Sequence, residues 1–117
     1  MANLNRIILV GKLTADPETR ETMDGRPMAK FSLTVDRPQG GADLIDVIAW
    51  AKAAEISRDY LKKGKLALIE GRIQIRAFED QTGQRRWATE VVANKVRAFD
   101  HPGVTSDDTD LVSELPF

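Results

Sequence analysis

The amino-acid sequence predicts an all-β domain in which a small barrel of five strands carries one helix. Three observations lead to this prediction. Apolar and polar residues alternate in three segments, at 29–36, 44–50 and 66–78, which is typical of half-buried strands. One segment alone has helical spacing, and it lies between the third and fourth predicted strands. The chain has 117 residues, the usual size of one domain with a single core.

Two strands are predicted in the first third of the chain. A β-branched run, Ile7–Val10, places the first strand at residues 5–13. Asp24-Gly25 predicts a tight hairpin turn, because glycine adopts the positive φ that such turns need. The second strand follows at residues 29–36, where apolar and polar side chains alternate with period two.

The third strand, residues 44–50, separates into two faces. Ile45, Val47 and Ala49 form a small and wholly apolar side, which we assign to the core. The other side consists of Leu44, Asp46, Ile48 and Trp50. Trp50 is therefore predicted to point away from the core, which suits a ligand or a subunit interface. The alternative is that Trp50 packs beneath the helix that begins beside it.

A single helix is predicted at residues 51–63, where the apolar spacing changes. Ile56 and Tyr60 lie four residues apart and so share one helical face. Gly64 can supply the left-handed cap that ends the helix.

The last two strands form a long hairpin. The fourth strand covers residues 66–78 and the fifth begins at Arg85 and runs to residue 96, with a turn at residues 80–84. Gly71, inside the fourth strand, predicts a bend or a close approach of two backbones, as at the corner of a barrel.

Five strands with one helix between the third and fourth match a five-stranded Greek-key barrel, the OB-fold. OB-folds are partly open barrels that bind oligonucleotides on the face of strands 2 and 3 and on adjoining loops. An SH3-like barrel is the alternative, but it leaves the central helix unexplained.

Charge divides the chain into two parts. Residues 1–99 carry 17 basic and 13 acidic side chains, a net charge of +4. Residues 100–117 carry five acidic side chains and no Lys or Arg, a net charge of −5. We therefore predict a folded domain at 1–99 with a surface for nucleic acid, and a disordered acidic tail at 100–117 that contacts partners. The alternative is a solvated surface with a disordered end.

Catalysis, cofactors and metal binding are not predicted. The chain has no cysteine and one histidine, His101, which excludes thiolate and multi-histidine metal sites. It contains no nucleophile elbow, Walker loop or metal-spaced acidic cluster, so we do not expect an enzyme. The longest early apolar run, Ile7–Val10, is too short for a signal peptide or a membrane span, so we expect a cytoplasmic protein.

The outward face of the fourth strand is the main candidate for binding. Alternate residues of a strand point to one side, and here they include arginines and an aromatic ring. Guanidinium groups beside aromatic rings suit a charged backbone with stackable bases. An exposed hairpin with arginines for solubility is the alternative. The candidate residues are Arg72, Gln74, Arg76 and Phe78, with Arg85, Arg86 and Trp87 across the hairpin.

Several stretches, in their order and spacing, resemble the bacterial single-stranded DNA-binding proteins, a tetrameric OB-fold family. The resemblance covers nearly the whole chain. The matching stretches are NRIILVGKL at 5–13 followed by Asp16-Pro17-Glu18, IAWAKAAE at 48–55, YLKKG at 60–64, Glu70-Gly71-Arg72, DQTGQRRW at 80–87 with Thr89-Glu90-Val91-Val92, and ELPF at 114–117.

The resemblance implies a homotetramer in the bacterial cytoplasm and nucleoid that binds single-stranded DNA without sequence preference during replication, recombination and repair. It assigns base stacking to Trp50 and Phe78. Leu44 stands where many members have a third aromatic residue, and the loop at 37–43 is short and lacks the family's loop aromatic. The family's tip recruits replication, recombination and repair proteins; here it would comprise Asp107, Asp108, Asp110, Glu114, Leu115, Pro116 and Phe117.

Two other functions stay open at this point. An OB domain can serve mainly as a protein-interaction scaffold, with its aromatic residues buried in an interface. An RNA-binding module of the cold-shock type is more distant, since the clustered aromatic residues of such modules are not evident. The exposure of Trp50, Phe78 and Trp87 separates these hypotheses, because stacking requires rings that face solvent.

Overall fold

The computed structural model describes residues 2–99, so the predicted tail, His101 and the C-terminal tip lie outside the described residues. Within residues 2–99, β3, β4 and the first part of β5 form where apolar and polar side chains alternate, and the helix forms where the apolar spacing widens. That helix is not long and apolar enough to cross a membrane. The elements are β1 Ile7–Leu13, β2 Glu18–Glu21, β3 Pro27–Asp36, β4 Ala42–Trp50, α1 Ala51–Tyr60, β5 Leu66–Glu79 and β6 Arg85–Phe99.

The strands form one sheet that closes on itself. Its order is β1-β5-β6-β4-β3-β2, and β1 also pairs with β3 through Lys12 and Leu13, which closes the barrel. Neighbouring strands are antiparallel except β4 and β6, which are parallel. Together with the helix between β4 and β5, this topology confirms the predicted all-β barrel of the OB type.

The structure adds a short strand to the five that the sequence predicts. β2 pairs with β3 along its whole length, and all four of its side chains are exposed. A strand without buried side chains needs no apolar alternation, so the sequence pattern could not reveal it. The turn between β2 and β3 lies where Asp24-Gly25 predicts it, and Gly25 has a φ of 84°.

The inward sides of the strands and one side of α1 form the core. On β4, Val47 and Ala49 are fully buried, as predicted, and Ile45 is partly buried. On α1, the Ser57 hydroxyl is buried and donates a hydrogen bond of 2.8 Å to the Ala53 carbonyl. The other core residues are Leu13, Ala29, Phe31, Leu33, Ala54, Leu61, Ala67, Ile69, Val91, Ala93 and Val96.

The two ends of α1 differ from the sequence prediction. The helix ends at Tyr60 rather than Lys63, because Leu61 adopts extended backbone and buries its side chain in the core. At its start, Ala51 has a φ of 53° and is the one non-glycine residue with positive φ among residues 2–99. This left-handed residue turns the chain from β4 into the helix immediately after Trp50.

Beyond Gly71, both faces of the β5–β6 hairpin become largely exposed. A Cβ at Gly71 would lie 2.0 Å from the Val92 carbonyl oxygen, so another residue would collide with the neighbouring strand. The β5–β6 register shifts between Glu70 and Gly71, and such bulges bend strands. The sequence predicts a bend or a close approach of two backbones at Gly71, and the structure confirms the close approach. We call residues 73–89, which extend past this bend, the arm.

Candidate nucleic-acid interface

Trp50 lies on the outer surface of β2, β3 and β4. Met28 is directly opposite Trp50 on β3, and Arg20 is opposite Met28 on β2. Directly opposed residues of antiparallel strands point to the same side of a sheet, so these three side chains form one row. The neighbouring row, two residues away on each strand, consists of Glu18, Lys30 and Ile48.

The same outer surface continues from β4 across β6 to β5. Ile48 lies beside Val92 in the parallel β4–β6 pair, and Val92 lies opposite Arg72. Along the hairpin the next outward pairs are Gln74 with Glu90, Arg76 with Ala88, and Phe78 with Arg86. Trp50 and Phe78 therefore lie on one continuous surface, which we call the stacking face. Its members are Arg20, Met28, Lys30, Ile48, Trp50, Arg72, Gln74, Arg76, Phe78, Arg86 and Glu90.

A cleft of about 240 Å³ crosses the stacking face between the two aromatic residues. Met28 and Ile48 supply apolar surface to the cleft, whereas Arg20, Lys30 and Arg76 supply positive charge. Glu18 and Glu90 complete its lining. Apolar surface beside cationic groups suits a nucleotide, whose base is flat and whose phosphate is negative.

Each aromatic ring of the stacking face has a guanidinium near it. The Arg26 Cζ lies 4.9 Å from the centroid of the Trp50 ring, and the Arg76 Cζ lies 5.7 Å from that of Phe78. Both distances fall within the range of about 6 Å for cation–π interactions. Phe78 is 38% exposed and Trp50 is partly buried. Both rings therefore have surface available to a base.

Asp80 organises the turn at the tip of the arm and holds Arg86. Its carboxylate accepts hydrogen bonds from Arg86 Nε at 2.7 Å, the Thr82 N–H at 2.9 Å and the Gln84 N–H at 3.0 Å. The Arg86 hydrogen bond and then that of the Thr82 hydroxyl are the main causes that lower the pKa of Asp80 from 3.8 to about 2. Arg86 is thereby placed next to Phe78 on the stacking face.

The amino-acid sequence of this chain matches one family of known proteins. The single-strand binding protein family matches residues 4–99 of the chain. The chain belongs to this family. The single-stranded DNA-binding protein of Thermotoga maritima is 40% identical over 125 residues, which cover 99% of this chain and 89% of that protein. These findings confirm the resemblance predicted from the sequence.

Two further relatives are longer than this chain. The single-stranded DNA-binding protein of Halalkalibacterium halodurans is 46% identical over 109 residues, covering 88% of this chain and 65% of that protein. Single-stranded DNA-binding protein A of Bacillus subtilis is 47% identical over 100 residues, covering 80% of this chain and 58% of that protein. The match therefore spans less than two thirds of each of these two proteins.

Within the family's barrel, two predicted site residues lie apart from the stacking face. Trp87 lies opposite Ala77, and Arg85 lies opposite Glu79. Adjacent residues of a strand point to opposite sides, so both lie on the other side of the arm from Arg86. The Arg85 guanidinium lies 6.0 Å from the Trp87 ring. The structure therefore brings together Trp50, Phe78, Arg72, Arg76 and Arg86, but not Arg85 and Trp87.

The side of the arm that holds Trp87 has an exposed apolar part. Ile73 is 40% exposed, and Ile75 and Trp87 are each 64% exposed. We call Ile73, Ile75, Ala77 and Trp87 the apolar side of the arm. Exposed side chains of this size, placed close together, are typical of protein interaction surfaces.

Three basic residues of the interface were missed by sequence reasoning. Arg20 lies on β2, whose sequence has no strand signal, and Arg26 lies in the β2–β3 turn. Lys30 alternates with core residues and so was predictable as outward-facing, but its place beside Ile48 depends on the β3–β4 register. Leu44 is 66% exposed on the same outer side of β4 as Trp50, and supplies no ring there.

Proposed function

We propose that this family member binds single-stranded DNA without sequence preference. The observation that supports this most is the placement of Trp50 and Phe78 on one continuous face, with a partly basic cleft between them. Stacking on aromatic rings tolerates any sequence because every base has a π-face, and basic side chains follow the phosphates. The relatives named above are single-stranded DNA-binding proteins, which supports the same ligand class here.

A single strand suits the stacking face better than a duplex. A protein ring reaches the flat face of a base only when the base is not stacked inside a double helix. The proposed role is therefore binding and protection, without catalysis, of single strands exposed during replication, recombination and repair.

Tryptophan fluorescence tests this proposal. The chain has two tryptophans, so Trp87→Phe leaves Trp50 as the one reporter. We expect oligo-dT to quench Trp50 at low concentration, with weaker binding at higher salt and a much weaker response to a duplex of the same length. Equal affinity for duplex DNA or a preference for RNA would contradict the proposal. Absence of binding to all three would favour a protein-interaction scaffold.

We also propose that the chain assembles as a homotetramer. Two surfaces support this proposal: the apolar side of the arm, and the edge of β1. β1 pairs with β5 over residues 7–12 but with β3 only through Lys12 and Leu13. Its β3-facing edge at residues 7–11 has no ladder partner among the described residues. Two distinct self-complementary contacts are what a tetramer of the D2 type requires.

The arm's part in assembly is tested with Ile75→Lys. We expect this variant to have a smaller mass by light scattering than the wild type, because a charge replaces apolar contact surface. Gln74→Lys is the control, since it puts the same charge on the opposite side of the same strand. The proposal that the arm contacts another subunit would be contradicted if the wild type is a monomer, or if the Ile75→Lys protein keeps the wild-type mass.

We further propose that residues 107–117 recruit partner proteins. The segment combines acidic residues with Leu115-Pro116-Phe117, which suits a partner pocket with an apolar floor and a basic rim. Deletion of 111–117 should abolish partner capture from a bacterial lysate while DNA binding stays intact or tightens slightly at low salt. Loss of DNA binding, or an unchanged set of captured partners, would contradict the proposal.

A further inference from the structure

A buried carboxylate lies in the middle of the stacking face. Glu90, on β6, is 2% exposed. Its side chain belongs to the lining of the cleft between Trp50 and Phe78. An ionised carboxylate is costly to bury unless it is paired. A negative charge here also opposes the phosphates of a bound strand, so its position needs a physical reason.

Arg76 is the cationic partner of Glu90. The Arg76 Nε–H donates a hydrogen bond of 3.3 Å to the Glu90 carboxylate. The two side chains differ in exposure, because that of Arg76 is 52% exposed and that of Glu90 is 3% exposed. The Arg76 guanidinium is thus anchored at its Nε by a buried group and lies near the Phe78 ring, while about half of the Arg76 side chain is exposed.

We propose that Glu90 is a positioning residue that holds the Arg76 guanidinium beside Phe78 before DNA binds. A free arginine side chain occupies many rotamers, and ordering it on binding costs free energy. Glu90 reduces that cost by restricting Arg76 in advance. This inference rests on the proposed function, since it takes Arg76 to contact a phosphate of the single strand.

Glu90→Gln separates this inference from simple electrostatics, because the two predict opposite signs. If the Glu90 charge only repels phosphates, its removal tightens DNA binding. If Glu90 positions Arg76, removal of the Glu90 charge weakens oligo-dT binding by about threefold to tenfold. It also lowers the slope of log affinity against log salt by up to roughly 0.7, which corresponds to the loss of one single-strand phosphate contact. Asp46→Asn is the matched control.

Asp46 suits this comparison because Asp46→Asn also removes one negative charge from the outer side of the sheet, on β4, whereas Glu90 is on β6. The exposed Asp46 carboxylate accepts a hydrogen bond of 2.7 Å from the Ser32 hydroxyl and holds no described arginine. We expect Asp46→Asn to bind oligo-dT as the wild type does, or slightly more tightly. If Asp46→Asn lost as much oligo-dT affinity as Glu90→Gln, the inference would be overturned, because the loss in both variants would then be a general effect of charge.

A double-mutant cycle completes the test. Arg76→Lys keeps the exposed positive charge and replaces no buried side chain. It therefore tests the inference even if the Glu90→Gln protein folds poorly. We expect Arg76→Lys to weaken binding, and the double variant to bind no worse than the weaker single variant. Additive losses, or an Arg76→Lys protein that binds like the wild type, would overturn the inference. Failure of the wild type to bind oligo-dT would instead overturn the proposed function.

Discussion

At the residue scale, the proposed function depends most on the Trp50 ring, which is partly exposed with a guanidinium near it. Stacking on an aromatic side chain contributes roughly 1–3 kcal/mol per base, so Trp50→Ala should weaken oligo-dT affinity about fivefold to 150-fold. Fluorescence anisotropy of a labelled oligonucleotide measures this loss. Leu44→Ala, on the same side of β4, is the control and should bind as the wild type does. If the Trp50→Ala protein folds and binds oligo-dT with wild-type affinity, Trp50 does not stack on a base and has a structural role instead.

Ala51, next to Trp50, gives a prediction about stability. Its φ of 53° is left-handed backbone, which costs an L-residue roughly 1–2 kcal/mol, whereas glycine costs roughly 0.5–1 kcal/mol in chain entropy. Ala51→Gly should therefore raise the free energy of unfolding by about 0.5–1 kcal/mol. Urea unfolding measures it. Lys52→Gly, at a residue without positive φ, should lower stability; if Ala51→Gly lowers it too, the backbone at Ala51 is unstrained.

Side-chain direction within a strand was predictable, but contacts between strands were not. The two-residue period assigned Val47 and Ala49 to the core and Trp50 to the other side. The Arg26 guanidinium near Trp50 comes from a turn whose position relative to β4 depends on long-range pairing. No local pattern contains that information.

At the element scale, the two sides of the arm differ in composition, and we propose different roles for them. Arg86 lies on the stacking face and Arg85 on the other side, although the two are adjacent in sequence. Arg86→Ala should flatten the dependence of log affinity on log salt by roughly 0.7, the loss of one single-strand phosphate contact. Arg85→Ala should leave the slope unchanged. If Arg86→Ala and Arg85→Ala give equal slopes of log affinity against log salt, the proposal that DNA contacts only the stacking face of the arm is wrong.

The turn at the tip of the arm should stabilise the protein in a pH-dependent way. Because the pKa of Asp80 is about 2 in the folded protein and 3.8 without its partners, its contribution is fully present above pH 3.8. It is lost as the pH falls towards 2. Asp80→Asn should therefore melt below the wild type at pH 7, with the difference shrinking between pH 4 and pH 2.

Glu79→Gln controls for the loss of one exposed carboxylate from the same hairpin. It should show little difference from the wild type in calorimetry at either pH. A constant gap between wild type and Asp80→Asn from pH 7 to pH 2 would mean that the Asp80 charge does not stabilise the turn.

Elements with a buried side were predictable, and elements without one were not. β3 to β6 have apolar alternation, and Gly71 signals the bend because only glycine fits against Val92. β2 has four exposed side chains and therefore no signal. The end of α1 depends on Leu61 entering the core, which is a tertiary effect. The side of Trp87 depends on the β5–β6 register.

At the scale of the whole molecule, the sheet topology confirms the predicted barrel. The barrel was predictable because strand pattern, helix position and chain length all agree with it. The stacking face and the apolar side of the arm point in opposite directions across one hairpin. DNA binding and subunit contact therefore need not compete for the same surface. The exposure of the apolar side of the arm was not predictable from any residue pattern, since Ile73 and Ile75 look like ordinary strand residues until the bend at Gly71 is known.

We propose that a bound single strand follows the stacking face from Trp50 to Phe78. Photocrosslinking tests this path, with oligo-dT in which iododeoxyuridine replaces thymidine and with mass spectrometry to locate the modified residues. We expect crosslinks at Trp50 and at Phe78. Crosslinks at Trp87, with none at Trp50 or Phe78, would contradict it.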